Sequence, residues 1–262
     1  MTLLQVRGLE KEFVSNGRVV MAIENLSVDI QEHEFVSIVG PSGCGKSTLL
    51  HILGGFEASS GGSLSLKGVP ISGPSPERGM MFQDLSLFPW LTVLENVSWP
   101  LEMKGWSKRR CENRCLEVLD LVHLKRFGHM YPGQLSGGMK QRVALARLLA
   151  LDPEILLMDE PFGALDAQTR ELLQEELQSV WRRDKKTALF VTHDIDEAIY
   201  LGTRLIVFTA RPGRIKADIK LPVSNRAGEY RKSSEYTELR NHVWDLLRHE
   251  VLAARAIAEL EL

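Results

Sequence analysis

The chain has 262 residues, of which 44% are hydrophobic and 25% are charged, an ordinary composition for a globular protein with one core, or one core and a smaller subdomain. Its 32 Lys and Arg residues nearly balance 34 Asp and Glu residues, which argues against a nucleic-acid-binding protein that works through bulk positive charge. The three cysteines have the spacing of neither a disulfide framework nor a zinc site, and they fit a reducing cytoplasm.

The sequence also excludes a membrane-spanning helix. No apolar run approaches the ~20 residues that are needed to cross a bilayer. Charged residues follow Met1 too closely for a secretory signal peptide. We therefore expect that any action at a membrane goes through another chain.

The first part of the chain has the alternating pattern of β-strands. The pattern covers the N-terminus, residues 19–23 and residues 26–30. Residues 35–39 form a short apolar run that enters a glycine-rich turn, and a helix is predicted at 46–53. From about residue 92 to 151 leucines recur at helical spacing among many charges, which predicts a helical region.

Strands and helices alternate again after this helical region. The predicted elements are a buried strand at 155–158, a polar helix at 167–181, and strands at 187–192 and 205–209. Such alternation indicates an α/β core into which the helical region is inserted. From Arg211 the sequence is typical of a loop, and from about Ser234 it is helical. We interpret this last helix as a docking helix or a dimer contact.

The glycine-rich turn has the pattern of a phosphate-binding loop, in which a glycine is followed by four residues and then by Gly-Lys-Ser. Its residues are Gly40, Pro41, Ser42, Gly43, Cys44, Gly45, Lys46 and Ser47. Glycines let backbone N–H groups converge on phosphate oxygens, and the positive end of the following helix faces the same anion. Lys46 is placed to reach the β- and γ-phosphates of ATP, the Ser47 hydroxyl to hold Mg²⁺, and Thr48 to lie near the α-phosphate. The alternative is an ordinary strand-turn-helix.

Two adjacent carboxylates end the predicted strand at 155–158. Asp159 can accept a water molecule of the Mg²⁺ shell, and Glu160 can polarise the water that attacks the γ-phosphate. Without the phosphate loop, the default interpretation would be an acidic strand end in contact with solvent. Together the two motifs predict a P-loop nucleotide hydrolase.

A third motif, Leu135-Ser136-Gly137-Gly138-Met139, lies some ninety residues after the phosphate loop. Here the sequence resembles the ABC ATPase family, whose signature begins Leu-Ser-Gly-Gly. The resemblance implies that Ser136, Gly137 and Gly138 face the γ-phosphate of ATP bound to the other subunit of a homodimer. Met139 departs from the family, which usually has Gln there, and we expect little loss because the serine and the glycines contact the phosphate.

Further motifs follow in the family's order, and the resemblance spans about Leu3 to Gly213. It implies that Gln83 senses Mg²⁺ and the γ-phosphate, and that Asp166, in the motif Gly163-Ala164-Leu165-Asp166, belongs to a loop that crosses the dimer interface. It also implies that His193 contacts the γ-phosphate and that Phe13 stacks on adenine. From the residues alone, His193 could be structural and Phe13 could be a core phenylalanine.

The predicted fold is therefore an α/β P-loop cassette of the ABC type. Residues 1–91 are assigned to a strand-rich first part of the nucleotide-binding core and residues 92–151 to an inserted helical subdomain with the signature loop. Residues 152–215 are assigned to the second part of the core, and residues 216–262 to a C-terminal extension.

Several local features are similar to the nitrate, sulfonate and taurine group of bacterial ABC importers. They are Pro76-Glu77-Arg78-Gly79, Phe88-Pro89-Trp90, the segment from Pro161 to Asp166, and Arg211-Pro212-Gly213-Arg214. The resemblance implies an ATPase that is peripheral on the cytoplasmic face of the inner membrane. It also implies two ATPase subunits, membrane permease subunits and an external binding protein for a small anion, with no nucleic-acid partner.

Four alternatives and two smaller hypotheses accompany this interpretation. The alternatives are an importer ATPase for another class of solute, an ABC exporter, a non-transport ABC ATPase, and a phosphoryl-transfer kinase, which would leave the signature loop unexplained. The first hypothesis is that Phe88 to Leu91 helps to line a groove for a short helix of the permease. The second is that the helix N-terminus lowers the thiol pKa of Cys44, which would make it reactive and protected by ATP.

Overall fold

The computed structural model describes residues 1–15, 17–163, 165–222 and 230–260. The chain divides into two compact units, one made of Met1–Ser75 and Lys186–Leu262 and the other of Pro76–Lys185. Strands predominate in the first unit and helices in the second. None of the described helices combines the length and the apolar composition that are needed to cross a membrane.

The first unit contains an antiparallel sheet. Its strands, in the order β2-β1-β4-β5, are β1 (Thr2–Ser15), β2 (Arg18–Gln31), β4 (Gly61–Leu66) and β5 (Val69–Pro70). Val6 of β1 lies opposite Val28 of β2 and Leu64 of β4. Leu26, Val28 and Ile30 are buried at every second position, because successive side chains of a strand point to opposite faces. The two strand patterns at 19–23 and 26–30 thus belong to one long, irregular strand.

The phosphate loop is connected to a second group of strands in the same unit. These are β3 (Phe35–Val39), β8 (Thr187–Val191), β9 (Arg204–Phe208) and β10 (Ile215–Lys220). Ser37 of β3 pairs in parallel with Phe190 of β8 and with Leu205 of β9. Every residue of β3 and β8 is buried, which explains their continuous apolar runs.

The prediction of a loop after Arg211 is wrong for Ile215–Lys220, which forms β10 antiparallel to β9. This strand is only partly buried, with charged residues at every second position. Such an edge strand lacks the apolar run by which buried strands are found in a sequence.

Three helices complete the first unit. They are α1 (Lys46–Gly54), α6 (Ile195–Leu201) and α7 (Ser234–Leu260). α1 begins directly at the phosphate loop. α6 is capped by the Asp194 carboxylate, which accepts hydrogen bonds from the backbone N–H groups of Asp196 and Glu197 at 2.8 and 3.2 Å.

The second unit joins a pair of parallel strands to a set of helices. Its elements are β6 (Arg78–Met81), β7 (Ile155–Asp159), α2 (Val93–Met103), α3 (Lys108–Leu121), α4 (Gly137–Leu151) and α5 (Ala167–Asp184). β6 and β7 pair with Gly79 opposite Leu156, and α2, α3 and α4 pack on one another. A Cβ atom on Gly79 would lie 2.5 Å from Leu148 Cδ1. Glycine therefore allows β6 to approach α4 closely.

Candidate nucleotide-binding site

The phosphate loop adopts a backbone that glycine favours at two positions. Gly43 has φ +75° and Gly45 has φ +99°, in the region that side chains disfavour. A Cβ atom on Gly45 would also lie 2.8 Å from the carbonyl oxygen of Ala22. The loop thus presents backbone rather than side chains directly before α1, which is the arrangement that an anion at a helix N-terminus requires.

Lys46 is the first residue of α1 and turns its side chain back over the loop. Its Nζ atom donates to the carbonyl oxygens of Gly40 at 2.8 Å and Pro41 at 2.9 Å, and the residue is only 7% exposed. The ammonium group is therefore held among groups of the loop. Ser47 and Thr48 follow in the first turn of α1 and are half-buried.

The prediction that the pKa of Cys44 is lowered is wrong in direction. Cys44 is 1% exposed, because its side chain points into the unit beneath the loop. Burial raises the pKa of its thiol and outweighs the opposing effect of the nearby Lys46 ammonium. The sequence shows the helix N-terminus beside Cys44, but only the fold shows that the thiol is buried.

This burial predicts slow alkylation of Cys44. In the folded protein at pH 8, iodoacetamide should label Cys44 at least about tenfold more slowly than it labels the urea-unfolded chain, since the thiolate is the reacting form. The rate should rise with pH, because a raised pKa leaves less thiolate at pH 8. Mass spectrometry of the peptide that contains Cys44 measures this. Equal labelling rates in the folded and unfolded chains would contradict the buried position.

The two adjacent carboxylates lie at the end of β7, in the second unit. Asp159 is the last residue of the strand and is 2% exposed, whereas Glu160 is half-buried. Glu160 has φ +47°, and its carbonyl oxygen accepts a hydrogen bond from the backbone N–H of Gly163 at 3.2 Å. A left-handed backbone at a residue that is not glycine costs about 1 kcal/mol or more and is concentrated at functional positions.

The signature loop forms the N-terminus of α4. The Ser136 Oγ atom accepts a hydrogen bond from the backbone N–H of Met139 at 3.3 Å, and Ser136 and Gly137 are exposed. A Cβ atom on Gly138 would lie 2.9 Å from Leu165 Cδ2. The second unit therefore brings the signature loop against the loop that follows β7, and it presents a second helix N-terminus that can bind an anion.

The structure also places the other predicted residues of the second unit. Gln83 is exposed and follows β6. Asp166 caps α5, since its Oδ1 atom accepts from the backbone N–H of Thr169 at 3.0 Å, and this hydrogen bond lowers the pKa of the Asp166 carboxyl. Ala164, in the same predicted motif, lies outside the described residues.

In the first unit, His193 lies beside the phosphate loop. It is exposed, and it lines one pocket together with Gly40, Pro41 and Ser42. The turn that carries it is ordered by Thr192, which donates to a Glu197 carboxylate oxygen at 2.7 Å and accepts from the backbone N–H of Asp194 at 3.0 Å. Thus two motifs that are far apart in the sequence meet.

Phe13 is on β1 and is 39% exposed, so it is not a core residue. The Lys11 Nζ atom lies 4.8 Å from the centre of its ring. A partly exposed ring is free to offer a face to a flat ligand, as the predicted stacking requires.

Arg147 is a residue that the sequence interpretation missed. It lies on α4, and its guanidinium donates to the carbonyl oxygens of Leu85 at 2.6 Å and Ser86 at 2.9 Å. Burial lowers its pKa. Arg147 therefore fastens the signature helix to the segment that follows Gln83. A single cation within the apolar run at 143–151 is the signal that could have identified it.

Comparisons with known proteins identify relatives of the chain. A family described as ABC transporter matches residues 23–163. The chain is 44% identical over 256 residues to a taurine import ATP-binding protein, TauB, of Roseobacter denitrificans, with 94% of this chain and 96% of that protein covered. It is 40% identical over 263 residues to a nitrate import ATP-binding protein, NrtD, of Synechocystis, with 97% and 99% covered.

Solved structures give the same result for the fold. The dimeric structure of a bacterial ABC transporter cassette is similar with a TM-score of 0.78 and 36% sequence identity, and the match covers 84% of this chain and 99% of that chain. The same cassette in a post-hydrolysis state, bound to ADP and phosphate, matches equally well. The predicted cassette fold is confirmed.

Proposed function

The chain belongs to the ABC transporter family, and from that premise we propose that it energises the import of a small anion, such as taurine, another sulfonate or nitrate, through a separate permease. It is an ATP-binding subunit whose ATPase activity is coupled to transport. The observation that carries the proposal is that two relatives with these solutes in their names match almost the full length of the chain.

The phosphate loop fits the triphosphate of ATP. Gly43 and Gly45 give the loop the backbone of a phosphate-binding turn, and the Lys46 ammonium donates to two carbonyl oxygens of the loop. When ATP binds, Lys46 would exchange its carbonyl partners for the β- and γ-phosphate oxygens. Phe13 would stack on the adenine ring, and His193, beside the loop, would contact the γ-phosphate.

The residues also fit a magnesium ion, which the proposal requires. Ser47, Gln83 and Asp159 would hold it, since hydroxyl, amide and carboxylate oxygens are the donors that Mg²⁺ prefers. Among the described residues no group of three or more His, Cys, Asp or Glu is arranged to hold a metal ion. In ATPases, however, one or two carboxylates and the phosphates of the substrate provide the ligands. The ion would neutralise charge on the phosphates.

Hydrolysis needs a base for the attacking water, and Glu160 would be that base. The buried strand β7 ends at Asp159. The backbone of Glu160, the next residue, is held by the hydrogen bond that its carbonyl oxygen accepts from Gly163. Asp159 would bind the water shell of the ion while the Glu160 carboxylate accepts the proton of the attacking water.

In the proposed assembly two copies close head to tail. Ser136, Gly137 and Gly138 of one copy would then contact the γ-phosphate held by the phosphate loop of the other, and Asp166 would lie at the interface. A dimer of this kind is consistent with the dimeric cassette that the chain resembles. An external binding protein would deliver the solute to the permease, and the ATPase would lie on the cytoplasmic face of the membrane.

A copurification experiment tests the function as a whole. Affinity purification from the native membrane should recover a permease with several membrane spans. Taurine, other sulfonates or nitrate should then stimulate ATP hydrolysis in the presence of the binding protein. Recovery of the chain with ribosomes or nucleic acid instead would refute the transport assignment and leave the ATPase chemistry intact.

The proposed contact with the permease is the aromatic cluster of Phe88, Trp90 and Trp99. Trp90 is 71% exposed, and the Phe88 ring lies 5.6 Å from that of Trp90 and 5.0 Å from that of Trp99. The loop is held by the buried amide of Asn96, which exchanges hydrogen bonds with the backbone of Phe88 at 2.9 and 3.1 Å. A rigid, exposed aromatic anchor is typical of interface hot spots.

The Trp90→Ala protein should therefore bind ATP normally but assemble poorly with the permease. Truncation of an aromatic anchor usually costs about 2 kcal/mol or more, roughly thirtyfold in affinity. Pull-down of the permease at graded concentrations measures the loss. Leu172→Ala, which removes another exposed apolar side chain from the same unit, should have no effect. Normal assembly of the Trp90→Ala protein would refute the contact.

A further inference from the structure

Helix α7 is fixed to the first unit by its N-terminal half. Tyr236, Val243 and Leu247 are buried in one cluster with Ile199 of α6 and Leu205 of β9. The Tyr236 hydroxyl also donates to the Asp196 carboxylate at 2.6 Å. The helix is therefore an integral part of this unit.

A second attachment fixes the middle of α7. The Glu250 carboxylate accepts hydrogen bonds from the backbone N–H of Ala210 at 2.7 Å and from Lys216 Nζ at 2.7 Å. Lys216 Nζ also donates to the carbonyl oxygen of Leu246 at 3.0 Å. The direction of the helix beyond Glu250 is consequently determined by the fold.

Between this helix and the phosphate loop lies a pocket of 680 Å³, which we call the α7 pocket. One wall contains Pro41, Ser42 and His193, and the other wall is one face of α7. The residues of that face are Trp244, Leu247, Arg248, Val251, Leu252, Ala254 and Arg255. Their spacing of three and four residues places them in one stripe. The volume is within the 300–1,000 Å³ that is typical of small-molecule sites.

The lining combines apolar surface with positive charge. Trp244 and Leu252 are each 56% exposed, so large apolar surfaces face the space. Arg248 and Arg255 are the cations of the helical wall, and no Asp or Glu is among the lining residues. In the part of the chain that the structure describes, neither guanidinium takes part in an ion pair. Two guanidiniums without a carboxylate favour an anionic ligand.

We propose that the α7 pocket binds a small amphipathic organic anion, whose apolar body packs on Trp244 and Leu252 and whose carboxylate, sulfonate or phosphate is bound by Arg248 and Arg255. An inorganic anion would leave the apolar wall uncovered. Because Ser42 and His193 line the same pocket, an occupant would lie next to the proposed position of the γ-phosphate of ATP. It should therefore weaken ATP binding, a consequence that rests on the proposed ATPase function.

Calorimetric titration of the full chain without nucleotide tests the site, with 2-naphthalenesulfonate as the probe. We expect binding to the unchanged protein, and binding that is roughly tenfold or more weaker in the Arg248→Gln/Arg255→Gln protein, because hydrogen bonds to charged groups are lost. Arg109→Gln, which removes an exposed arginine from the other unit, should bind the probe normally. The neutral analogue 2-naphthalenemethanol should bind at least tenfold more weakly than the sulfonate.

Equal affinity of the double variant for the probe, or equal affinity of the protein for the neutral analogue, would overturn the proposal. Thermal unfolding of each variant checks its fold. If the double variant melts early, Leu252→Asp provides the same test, since it places a carboxylate at an exposed position in the α7 pocket and should repel the probe.

Two further measurements distinguish this proposal from the proposed ATPase function and from an interface between copies of the chain. In an ATPase assay the probe should raise the KM for ATP, and the double variant, otherwise active, should escape this effect. Absence of any ATPase activity would count against the proposed function alone, because the titration contains no nucleotide. Sedimentation without nucleotide should show the same self-association for all variants. If the double variant instead loses self-association and keeps probe binding, the α7 pocket is an interface between copies and the proposal is wrong.

Discussion

The Glu160→Gln protein should bind ATP with nearly unchanged affinity and hydrolyse it roughly 10²–10⁴-fold more slowly, the usual contribution of a general base. Glutamine has the shape of glutamate but cannot accept the proton of the attacking water. The hydrogen bond that closes the turn is accepted by the backbone carbonyl oxygen of Glu160 and not by its side chain, so the loop after β7 should keep its geometry. Single-turnover hydrolysis and equilibrium ATP binding measure the two effects separately.

The matched control is Glu154→Gln, which removes an exposed carboxylate just before the same strand. It should hydrolyse ATP at the normal rate. The Glu160→Gln protein should also accumulate as a closed dimer with ATP, because the step that reopens the dimer is blocked. Normal turnover of this variant would show that another group activates the water.

The phosphate loop could be predicted from the sequence because its chemistry is local. Gly43 and Gly45 have the left-handed backbone that the motif predicts, the Lys46 ammonium lies over the same short segment, and the strand and helix on either side have clear patterns. The signature loop is equally local, since the Ser136 hydroxyl caps the helix that begins one residue later.

Features that depend on distant contacts could not be predicted in this way. The direction of the Cys44 pKa shift follows from burial in the folded unit, whereas the sequence shows only a nearby helix N-terminus. The pairing of Arg147 with the carbonyl of Leu85 joins residues that are 62 positions apart. Likewise, α7 and the phosphate loop line the same pocket although most of the sequence lies between them. The sequence indicates that helix, but not the neighbours that it meets.

Mixing two inactive variants should restore activity if the dimer closes head to tail. Lys46→Ala removes the ammonium group of the phosphate loop, so that neither site of a pure Lys46→Ala dimer has a functional phosphate loop. Gly138→Asp inactivates the signature loop, because its side chain would meet Leu165 and would add negative charge at the helix N-terminus. Each pure variant should lose ATP hydrolysis almost completely.

A mixed dimer has one site in which the intact phosphate loop of the Gly138→Asp chain faces the intact signature loop of the Lys46→Ala chain. Its other site carries both defects. With random pairing, half of the dimers are mixed and each has one intact site of two, so an equal mixture should recover about a quarter of the normal hydrolysis rate.

The control mixes Lys46→Ala with Glu160→Gln. Each of these substitutions inactivates the site that is built on the phosphate loop of its own chain, so the mixed dimer has no intact site. Recovery in the first mixture and none in the second would establish that each ATP is bound between two chains, whereas no recovery in either would mean that each chain completes its own site.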